Sequence, residues 1–424
     1  MRGKLTVFLP LLFLSAAVFG AELNNEIRFS SLTSFAKGFP AAAGAENKYT
    51  TSTNYLFLSS SAMFTRTLGA EGVFSAGNFY YNDGYQSGGA TKIAANTLAA
   101  KFNSGAVLLK AGRLFYGEKN TLLPYYGLYE NYSGIISSSV DGGYGAADIT
   151  GYLNLSALYG KETKDNFSED NGTVYGAVLS VKPAAGFEIA PFAFAYQAEN
   201  NGYKKDLRMY GGYADLNMGG GASLYLSYAA NGGKYKLTDN VFGGRTEFDY
   251  PGHAFLVRFN GDGETKSFFY NLRVLYLESS GLDGDERGFE GINQYVPLGS
   301  IFSGTNFIQR SGIIRYFNIY RYGTADGLRA YNIGASFGPK AAKFIKIDID
   351  MFSYYDTNSY GFTNARDIGT EINAGITVTP FKNVSLSAVY AKFTAGQRFL
   401  NEYPPAYFDA GDITQTAFKA AVKF

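Results

Sequence analysis

The sequence holds few of the residue types on which enzyme catalysis usually depends. It contains no Cys and a single His, His253, so thiol nucleophiles and thiolate metal sites are excluded and only one imidazole base is available. Neither a Gly-x-Ser-x-Gly elbow nor a His-Glu-x-x-His motif occurs. Asp348 and Asp350 could act as paired carboxylates, but their spacing fits a row of charges on one face of a strand better. We therefore expect no enzyme, no cofactor and no metal site.

The charge balance and the composition exclude two further classes of protein. Lys and Arg number 37 against 36 Asp and Glu, which argues against a nucleic-acid partner because such partners usually require a basic surface. With 46% hydrophobic and 17% charged residues, the chain is too apolar to be disordered. The 52 Gly, 35 Tyr and 36 Phe favour a protein made of many strands and turns.

The first 21 residues have the pattern of a secretory signal peptide. Arg2 and Lys4 precede an apolar stretch at residues 5–19, which ends in the small residues Gly20 and Ala21. We expect cleavage there; a retained N-terminal anchor is the alternative. The remainder, residues 22–424, contains no apolar run long enough for a transmembrane helix. It is expected to form one exported domain.

Strict alternation of apolar and polar residues is the main structural signal. Residues 343–355 show it most clearly. Their alternate positions are Ile345, Ile347, Ile349 and Met351 on one side, and Lys346, Asp348 and Asp350 on the other. The same pattern recurs at residues 266–278, 368–379, 384–394 and 413–424. Side chains point alternately to opposite faces of a strand, so each segment is predicted to be a strand with one apolar and one polar face.

Three features favour a transmembrane barrel over a soluble β-sandwich, which also alternates. The candidate strands are about ten residues or longer, as a tilted membrane crossing requires. Short links alternate with long polar links, which predicts short periplasmic turns and long extracellular loops. The last strand ends in Phe424, which resembles the signal that the bacterial barrel-assembly machinery recognises. The predicted fold is therefore an all-β, transmembrane antiparallel barrel in the bacterial outer membrane, in contact with lipid.

The turn pattern predicts about eighteen strands, with sixteen as the alternative. The predicted strands are residues 25–35, 52–64, 70–81, 92–103, 105–116, 133–141, 148–160, 173–182, 187–198, 207–218, 222–230, 252–262, 266–278, 328–338, 343–355, 368–379, 384–394 and 413–424. A barrel of this size leaves an aqueous lumen unless loops fill it.

One stretch, at about residues 279–327, is too long for an ordinary link. Its first part is acidic and its second part is aromatic and basic, with Arg310, Arg315 and Arg321 followed by Arg329. Long connections in compact folds are usually functional, so we expect this segment to fold into the lumen as a constriction loop. The alternative is that residues 310–321 form a further strand.

Two segments resemble alginate-export outer-membrane proteins. The more specific is the hairpin at residues 367–396, with its Gly-Thr-Glu strand and Lys-Asn turn. The other is Lys110-Ala-Gly-Arg113, followed by Phe115 and Gly117. The resemblance implies a monomeric, eighteen-stranded barrel whose Arg-lined, loop-restricted pore passes an anionic polysaccharide.

The charged residues on the polar faces are the candidates for solute selectivity. A charge facing lipid would cost about 2–4 kcal/mol for Arg or Lys at mid-bilayer, so these residues should line the lumen. The candidates on the polar faces are Lys101, Lys110, Arg258, Arg273, Lys346, Asp348, Asp350 and Glu371. Arg310, Arg315, Arg321 and Arg329 are further candidates, in or beside the predicted constriction loop. By alternation, Arg113 would lie on the apolar, lipid-facing side of its strand, unless a β-bulge at Gly112 turns it to the polar side.

These residues predict an outer-membrane channel for hydrophilic solutes, with selectivity for anions or a polysaccharide if Arg residues cluster at a constriction. A general diffusion porin without substrate specificity is the main alternative. An outer-membrane enzyme and an adhesive barrel that binds a partner through its loops are further alternatives.

Overall fold

Twenty β-strands make up most of the protein. The computed structural model describes residues 22–38, 48–82, 87–131, 134–164, 172–199, 202–237, 247–281, 288–294, 296–301, 327–357, 365–402 and 412–424. The strands are β1 (Glu22–Lys37), β2 (Lys48–Met63), β3 (Leu68–Asn82), β4 (Ser87–Asn103), β5 (Val107–Leu114), β6 (Leu128–Asn131), β7 (Gly134–Thr150), β8 (Leu153–Lys164), β9 (Thr173–Ala184), β10 (Phe187–Glu199), β11 (Tyr203–Gly219), β12 (Ala222–Leu237), β13 (Glu247–Asp249), β14 (His253–Glu264), β15 (Phe268–Ser279), β16 (Leu328–Pro339), β17 (Ile345–Asp356), β18 (Asp367–Phe381), β19 (Val384–Ala395) and β20 (Asp412–Lys423). A short 3-10 helix (Lys340–Ala342) and helix α1 (Gln397–Glu402) complete the described elements.

The strands form a closed antiparallel barrel of 18 strands. Each wall strand pairs with its neighbours in chain order, and β1 pairs with both β2 and β20, which closes the cylinder. β6 and β13 lie outside this count because each is a short segment paired only with β7 or β12. The eighteen-strand prediction is confirmed and the sixteen-strand alternative is wrong.

The predicted strand positions agree with the observed ones, with the largest difference at β7. This strand continues to Thr150, whereas the sequence predicted its end at residue 141. Gly142, Gly143 and Gly145 interrupt the alternation there, and glycine weakens a strand assignment because it has no side chain to pack. The backbone pairing to β5 and β8 nevertheless continues through all three positions.

The links at one end of the barrel are uniformly short, and we call this the turn end. They are residues 64–67, 104–106, 151–152, 185–186, 220–221, 265–267, 340–344 and 382–383. The opposite end, the loop end, carries the longer connections, most of which lie outside the described residues. This asymmetry agrees with the short turns and long loops predicted for a membrane barrel.

The outer face of the barrel is apolar. Its alternate positions expose large hydrophobic side chains, such as Ile333 (70% exposed), Ile372 and Met351. Exposed aromatic side chains lie towards both ends of the wall. Towards the turn end they are Phe64, Tyr152, Phe268, Phe344, Phe381 and Phe424; towards the loop end they are Phe35, Tyr80, Tyr159, Tyr210, Tyr228, Tyr331 and Tyr390. An apolar band between two aromatic girdles is the surface of a transmembrane barrel.

The buried hydrophobic residues lie inside the barrel instead of between two layers. Leu122, Tyr126, Phe289 and Ile292 are almost fully buried and belong to two segments that connect wall strands. They pack against inward-facing residues of the wall, such as Leu207. Among the described residues, no helix is long and apolar enough to span a membrane.

Candidate functional site in the barrel lumen

The first segment inside the lumen is residues 115–127, which we call the first insert. The chain leaves the wall after β5, and Tyr116 and Tyr126 hydrogen-bond to each other through both backbone groups, at 2.8 and 2.7 Å. Tyr125 donates its hydroxyl to the Leu128 carbonyl at 3.0 Å, and burial raises the pKa of Tyr125 to about 12. This phenol therefore stays protonated and holds the end of the insert in place. The sequence analysis did not predict this insert.

The second insert consists of residues 288–294 and 296–301, within the predicted constriction loop. Phe289, Ile292 and Leu298 are buried, so the segment packs inside the barrel. Its start is attached to the wall through Glu290, whose carboxylate pairs with Lys205 of β11. The Glu290 backbone N–H also donates to Asn231 Oδ1 of β12 at 2.7 Å.

Glu371 of β18 attaches the other end of the second insert. Its carboxylate is fully buried and accepts hydrogen bonds from the backbone N–H groups of Ser300 (2.6 Å) and Ile301 (3.0 Å). Tyr354 of β17 donates its hydroxyl to the same carboxylate at 3.3 Å. Glu371 does line the inner wall, as its parity predicted, but it is covered by the insert. Its role here is to hold the insert, since a buried carboxylate requires donors around it.

Hydrogen bonds from the neighbouring residues Asn293 and Gln294 of the second insert join it to the first insert. Asn293 accepts from the Tyr125 backbone N–H at 2.9 Å, and its Nδ2 donates to the Tyr125 carbonyl at 2.7 Å. The same amide donates to Ser138 Oγ of β7 at 3.0 Å. Gln294 donates to the Leu122 carbonyl. The inserts thus form one layer inside the lumen, the insert layer, which contacts the wall from β7 round to β18.

Four predicted charged residues form a group on the wall. Arg273 of β15 pairs with Asp350 at 3.0 Å and with Asp348 at 3.7 Å, both on β17. Lys346 pairs with Asp348 at 2.9 Å. Strand β16 lies between β15 and β17, and Gly334 occupies the crossing point. A Cβ atom at Gly334 would lie 1.9 Å from the Asp350 carboxylate, so this position must be glycine for the pair to form.

Arg258 of β14 lies in the same region but has a different environment. Its guanidinium lies over the ring of Tyr225, 4.4 Å from the centroid. Its Nε is buried and has no hydrogen-bond partner among the described residues, while Asp215 and Glu118 attract it at longer range. A cavity of about 310 Å³ lies between this wall and the insert layer, lined by Arg258, Arg273, Asp348 and Asp350 and by Asn120 and Ser300 from the two inserts.

A second cavity lies between the first insert and the wall at β1. Its volume is about 410 Å³, and its lining includes Arg28, Lys119, Tyr116 and Tyr125. Arg28 lies over the ring of Phe57 at 4.8 Å, and Lys119 lies over the ring of Tyr125 at 5.8 Å. Among the described residues, this lining contributes two cationic side chains. The sequence analysis named neither Arg28 nor Lys119. Lys119 lies in the unassigned stretch between the predicted strands 105–116 and 133–141, and Arg28 lies between the apolar Ile27 and Phe29 in the predicted strand 25–35, where alternation was the signal that could have revealed it.

The remaining predicted candidates lie in three different places. Lys110 points inward and pairs with Glu71 at 2.5 Å, and Lys101 is its cross-strand partner on the same face. Arg329 points outward, because its neighbours Leu328 and Ala330 are the inward, buried residues, and it pairs with Glu278 at 2.9 Å. Its assignment to the pore is therefore corrected. Arg310, Arg315 and Arg321 lie outside the described residues, as does the predicted signal peptide.

Arg113 lies at an outward-facing position of β5, and no β-bulge shifts it to the inner face. Gly112 has a φ of 130°, yet the pairing of β5 with β4 and β7 keeps its register through this residue. The guanidinium forms two hydrogen bonds with Asp141 at 2.7 and 2.9 Å, and Thr163 donates to the same carboxylate at 3.1 Å. A bulge at Gly112 is thus not observed, and the charge is neutralised on the outer face.

Features that could support catalysis are few in the described part of the chain. His253 begins β14 on the exposed face and stacks on Tyr228 with the ring centroids 6.4 Å apart. No group of three or more His, Asp or Glu residues that could hold a metal ion occurs in the ranges given above.

The fold is shared with solved outer-membrane barrels, although the sequences have diverged widely. OccAB3 of Acinetobacter baumannii has a TM-score of 0.60 at 11% identity, with 95% of this chain and 99% of that chain covered. OpdQ of Pseudomonas aeruginosa gives 0.56 at 12% identity, covering 95% and 99%. The outer membrane protein OprD of Pseudomonas aeruginosa gives 0.53 at 12% identity, covering 95% and 93%.

Sequence comparisons give no corresponding result. No family model matches this chain, and no curated protein matches it. At these identities the structural likeness shows a common barrel fold. The resemblance to alginate-export proteins receives no support from the comparisons and stays a hypothesis.

Proposed function

We propose that this protein is a bacterial outer-membrane channel that passes hydrophilic solutes. The observation that carries the proposal is the closed 18-stranded wall, with an apolar outer face and charged groups such as Arg273 and Asp350 on its inner face. Water and polar solutes are stabilised only inside such a wall, whereas lipid is stabilised only outside it. A barrel of this strand number encloses enough space for a channel that inserts can narrow.

The insert layer sets the size of the solutes in this proposal. The two inserts are hydrogen-bonded to each other and to the wall, and the cavities beside them measure about 310 and 410 Å³. Volumes of this size suit small solutes. A small solute is therefore favoured here over the polysaccharide that the alginate-export resemblance implies. In this proposal the described part of the second insert contributes to the constriction predicted for residues 279–327.

We also propose a preference for anions, based on the placement of Arg258. This guanidinium lies over Tyr225 in the first cavity, and its Nε has no hydrogen-bond partner among the described residues, whereas Arg273 pairs with Asp350. Pores select ions through charges placed in a narrow lumen. An enzymatic role is not part of the proposal, because His253 stacks on Tyr228 at the exposed face, away from both cavities.

Solute flux into vesicles tests the proposal. Proteoliposomes loaded with an impermeant polymer and diluted into isotonic solutions of neutral sugars should swell, rapidly with a monosaccharide and more slowly with each added sugar unit. Comparison of gluconate with a cation of similar size then gives the charge preference. Vesicles that contain the folded barrel and do not swell with any solute would contradict a channel.

Assembly and targeting complete the proposal. The Phe424 backbone forms two hydrogen bonds with Ile27 of β1, at 3.1 and 2.8 Å, and its side chain is 74% exposed on the outer face. This terminus is thus both part of the barrel closure and accessible to a recognising protein. We assign it as the segment that the barrel-assembly machinery recognises, after export directed by residues 1–21.

A further inference from the structure

The charges at the turn end of the barrel are distributed unevenly round the ring. Four links that follow one another, interrupted only by the closure of β20 on β1, each contain Lys or Arg and no Asp or Glu; they are residues 265–267, 340–344, 382–383 and 64–67. The other four links, residues 104–106, 151–152, 185–186 and 220–221, contain no charged residue. The cations of the links therefore occupy one half of the turn end. We call Arg66, Lys266, Lys343 and Lys382 the basic rim.

The positive charges of the basic rim are not neutralised by neighbouring carboxylates. All four residues are exposed, and none of them forms an ion pair with another residue in the described ranges. Glu264 and Glu26, which lie in the same half, pair with other cations, Lys340 at 3.0 Å and Lys423 at 2.6 Å. The rim thus presents four positive charges to its surroundings.

The basic rim lies at the level of the aromatic girdle at the turn end. Each of its cations is at most two residues from an exposed Phe of that girdle. The pairs are Arg66 and Phe64, Lys266 and Phe268, Lys343 and Phe344, and Lys382 and Phe381. Girdle aromatics lie at the boundary between the hydrocarbon and the lipid headgroups, and a Lys or Arg beside them extends its charged end into the headgroup layer. The rim is therefore placed at the depth of the lipid phosphate groups.

The other half of the turn end has a different surface. Tyr152 is an exposed aromatic there, while the outward residues Ile149 and Met218 are aliphatic. Lys182, which lies close to the uncharged link at residues 185–186, pairs with Glu188 at 3.9 Å. A negatively charged headgroup is thus attracted along one half of the wall more strongly than along the other.

We propose that the basic rim binds the phosphate groups of anionic phospholipids in the leaflet at the turn end. The inference rests on the membrane location in the proposed function. A cation near an anionic lipid surface increases binding by about fivefold at low salt, and the effect decreases with distance over the Debye length. Lipid is favoured over a soluble acidic protein as the occupant, because the apolar girdle beside each cation must itself be covered by lipid.

Collisional quenching of a single fluorophore compares the lipids beside the two halves. Because the chain contains no Cys, Asn383→Cys in the basic half and Tyr152→Cys in the other half can each be labelled specifically. Both positions are exposed and lie in turn links. The folded barrel is placed in phosphatidylcholine vesicles that contain a small fraction of phosphatidylglycerol with a nitroxide on its acyl chain, or of phosphatidylcholine with the same nitroxide. Both leaflets have the same composition, so the orientation of the barrel does not affect the result.

The ratio of quenching by the anionic lipid to quenching by the neutral lipid should be about three or more at position 383 and about one at position 152. A high concentration of sodium chloride should reduce the first ratio, since salt screens exposed charges. The variant Arg66→Gln, Lys266→Gln, Lys343→Gln, Lys382→Gln should give the same reduction. The matched control removes four exposed cations at the loop end instead and should keep the ratio of the parent; its substitutions are Lys161→Gln, Lys204→Gln, Arg208→Gln and Lys236→Gln.

Equal ratios at positions 383 and 152, or a high ratio at position 383 that remains in the rim variant, would overturn the proposal. Equal ratios would instead favour a soluble acidic partner for the exposed cations. Solute flux in the same vesicles separates this proposal from the proposed function. Vesicles that swell but show equal ratios contradict only the lipid site, whereas folded barrels whose vesicles do not swell contradict the channel.

Discussion

Under the proposed function, we expect Arg258 to influence a passing ion more directly than the paired lumen cations do. Arg273 and Lys346 have carboxylate partners on neighbouring positions, so their charges are balanced locally. Arg258 instead rests on the face of Tyr225 and lines the first cavity. A guanidinium keeps its charge at all relevant pH values and presents planar donors to an anion. Selectivity should therefore depend more on Arg258 than on the paired residues.

Replacing Arg258 with Ala should shift ion selectivity towards cations. A unit charge 5 Å away contributes about 0.8 kcal/mol in water, so we expect the anion-to-cation permeability ratio to fall on the order of fourfold. Reversal potentials in a salt gradient measure this ratio. Arg113→Ala is the control, because its guanidinium pairs with Asp141 on the outer face. An unchanged reversal potential in Arg258→Ala, or an equal shift in the control, would remove Arg258 from the selectivity mechanism.

Glu371→Gln should loosen the second insert while the barrel stays folded. The carboxylate accepts two backbone hydrogen bonds from Ser300 and Ile301, and hydrogen bonds to a charged group contribute about 1.5–3 kcal/mol each. We expect larger and more variable single-channel currents, since part of the insert would leave the lumen. Glu71→Gln, whose carboxylate contacts Lys110 of the wall, should keep the parent current. Identical current distributions for Glu371→Gln and the parent would contradict the anchoring role.

Alternation alone placed most wall charges on the correct face, but it could not show which of them are accessible. Glu371 lies on the predicted inner face and yet is buried under the insert. Arg329 was grouped with the loop arginines, although its position between the inward residues Leu328 and Ala330 turns it outward. The covering of a residue depends on contacts distant in sequence, and these are not encoded in local periodicity.

At the scale of the element, each wall strand has one face that points towards lipid and one face that points towards the lumen. On β18, Ile376 is exposed on the outer face, whereas the next residue, Thr377, shares a hydrogen bond with Ser387 of β19 at 3.0 Å on the inner face. Adjacent residues on one strand therefore contact different phases. This pair offers a direct comparison of the two faces at nearly the same depth.

Ile376→Lys should destabilise the barrel by about 2–4 kcal/mol, the cost of a lysine at the lipid-facing midplane. Thr377→Lys should cost much less, because its ammonium group would enter the aqueous lumen. Reversible unfolding by guanidinium in lipid vesicles gives the free energy of unfolding of both variants. Similar losses for the two variants would contradict the assignment of inner and outer faces.

Element positions could be predicted from the sequence wherever alternation was continuous, as at β17 and β18. The first insert could not, because residues 115–127 have neither strand nor helix periodicity and are held by Asn293, far away in the chain. The second insert was predicted from its length alone. Its anchors, Lys205 and Glu371, lie on strands remote in sequence.

At the scale of the whole molecule, the barrel depends on the closure between its first and last strands. β1 pairs with β20 from Arg28 to Lys37, and Phe424 adds two further backbone hydrogen bonds to Ile27. Closure removes the free strand edges that would otherwise be exposed to lipid without hydrogen-bond partners. The complete wall is therefore required before any lumen exists.

Phe424→Ala should lower the amount of protein in the outer membrane severalfold while leaving the purified barrel stable. The side chain is exposed and makes no large contribution to packing, so its loss should act through recognition during assembly. Quantitative immunoblotting of membrane fractions measures the effect in cells. Phe381→Ala, at an equally exposed aromatic of the turn end, serves as the control. Equal levels for the two variants would argue against recognition through the C-terminal residue.

Single-channel recording in a planar lipid bilayer tests the central claim most directly. The purified, folded barrel should insert and produce discrete current steps whose size rises with the salt concentration, as a water-filled lumen requires. The Glu371→Gln and Arg258→Ala variants should then change current size and ion preference, respectively. A bilayer that contains the folded protein and shows no current steps at any salt concentration would contradict an open lumen and, with it, the proposed channel.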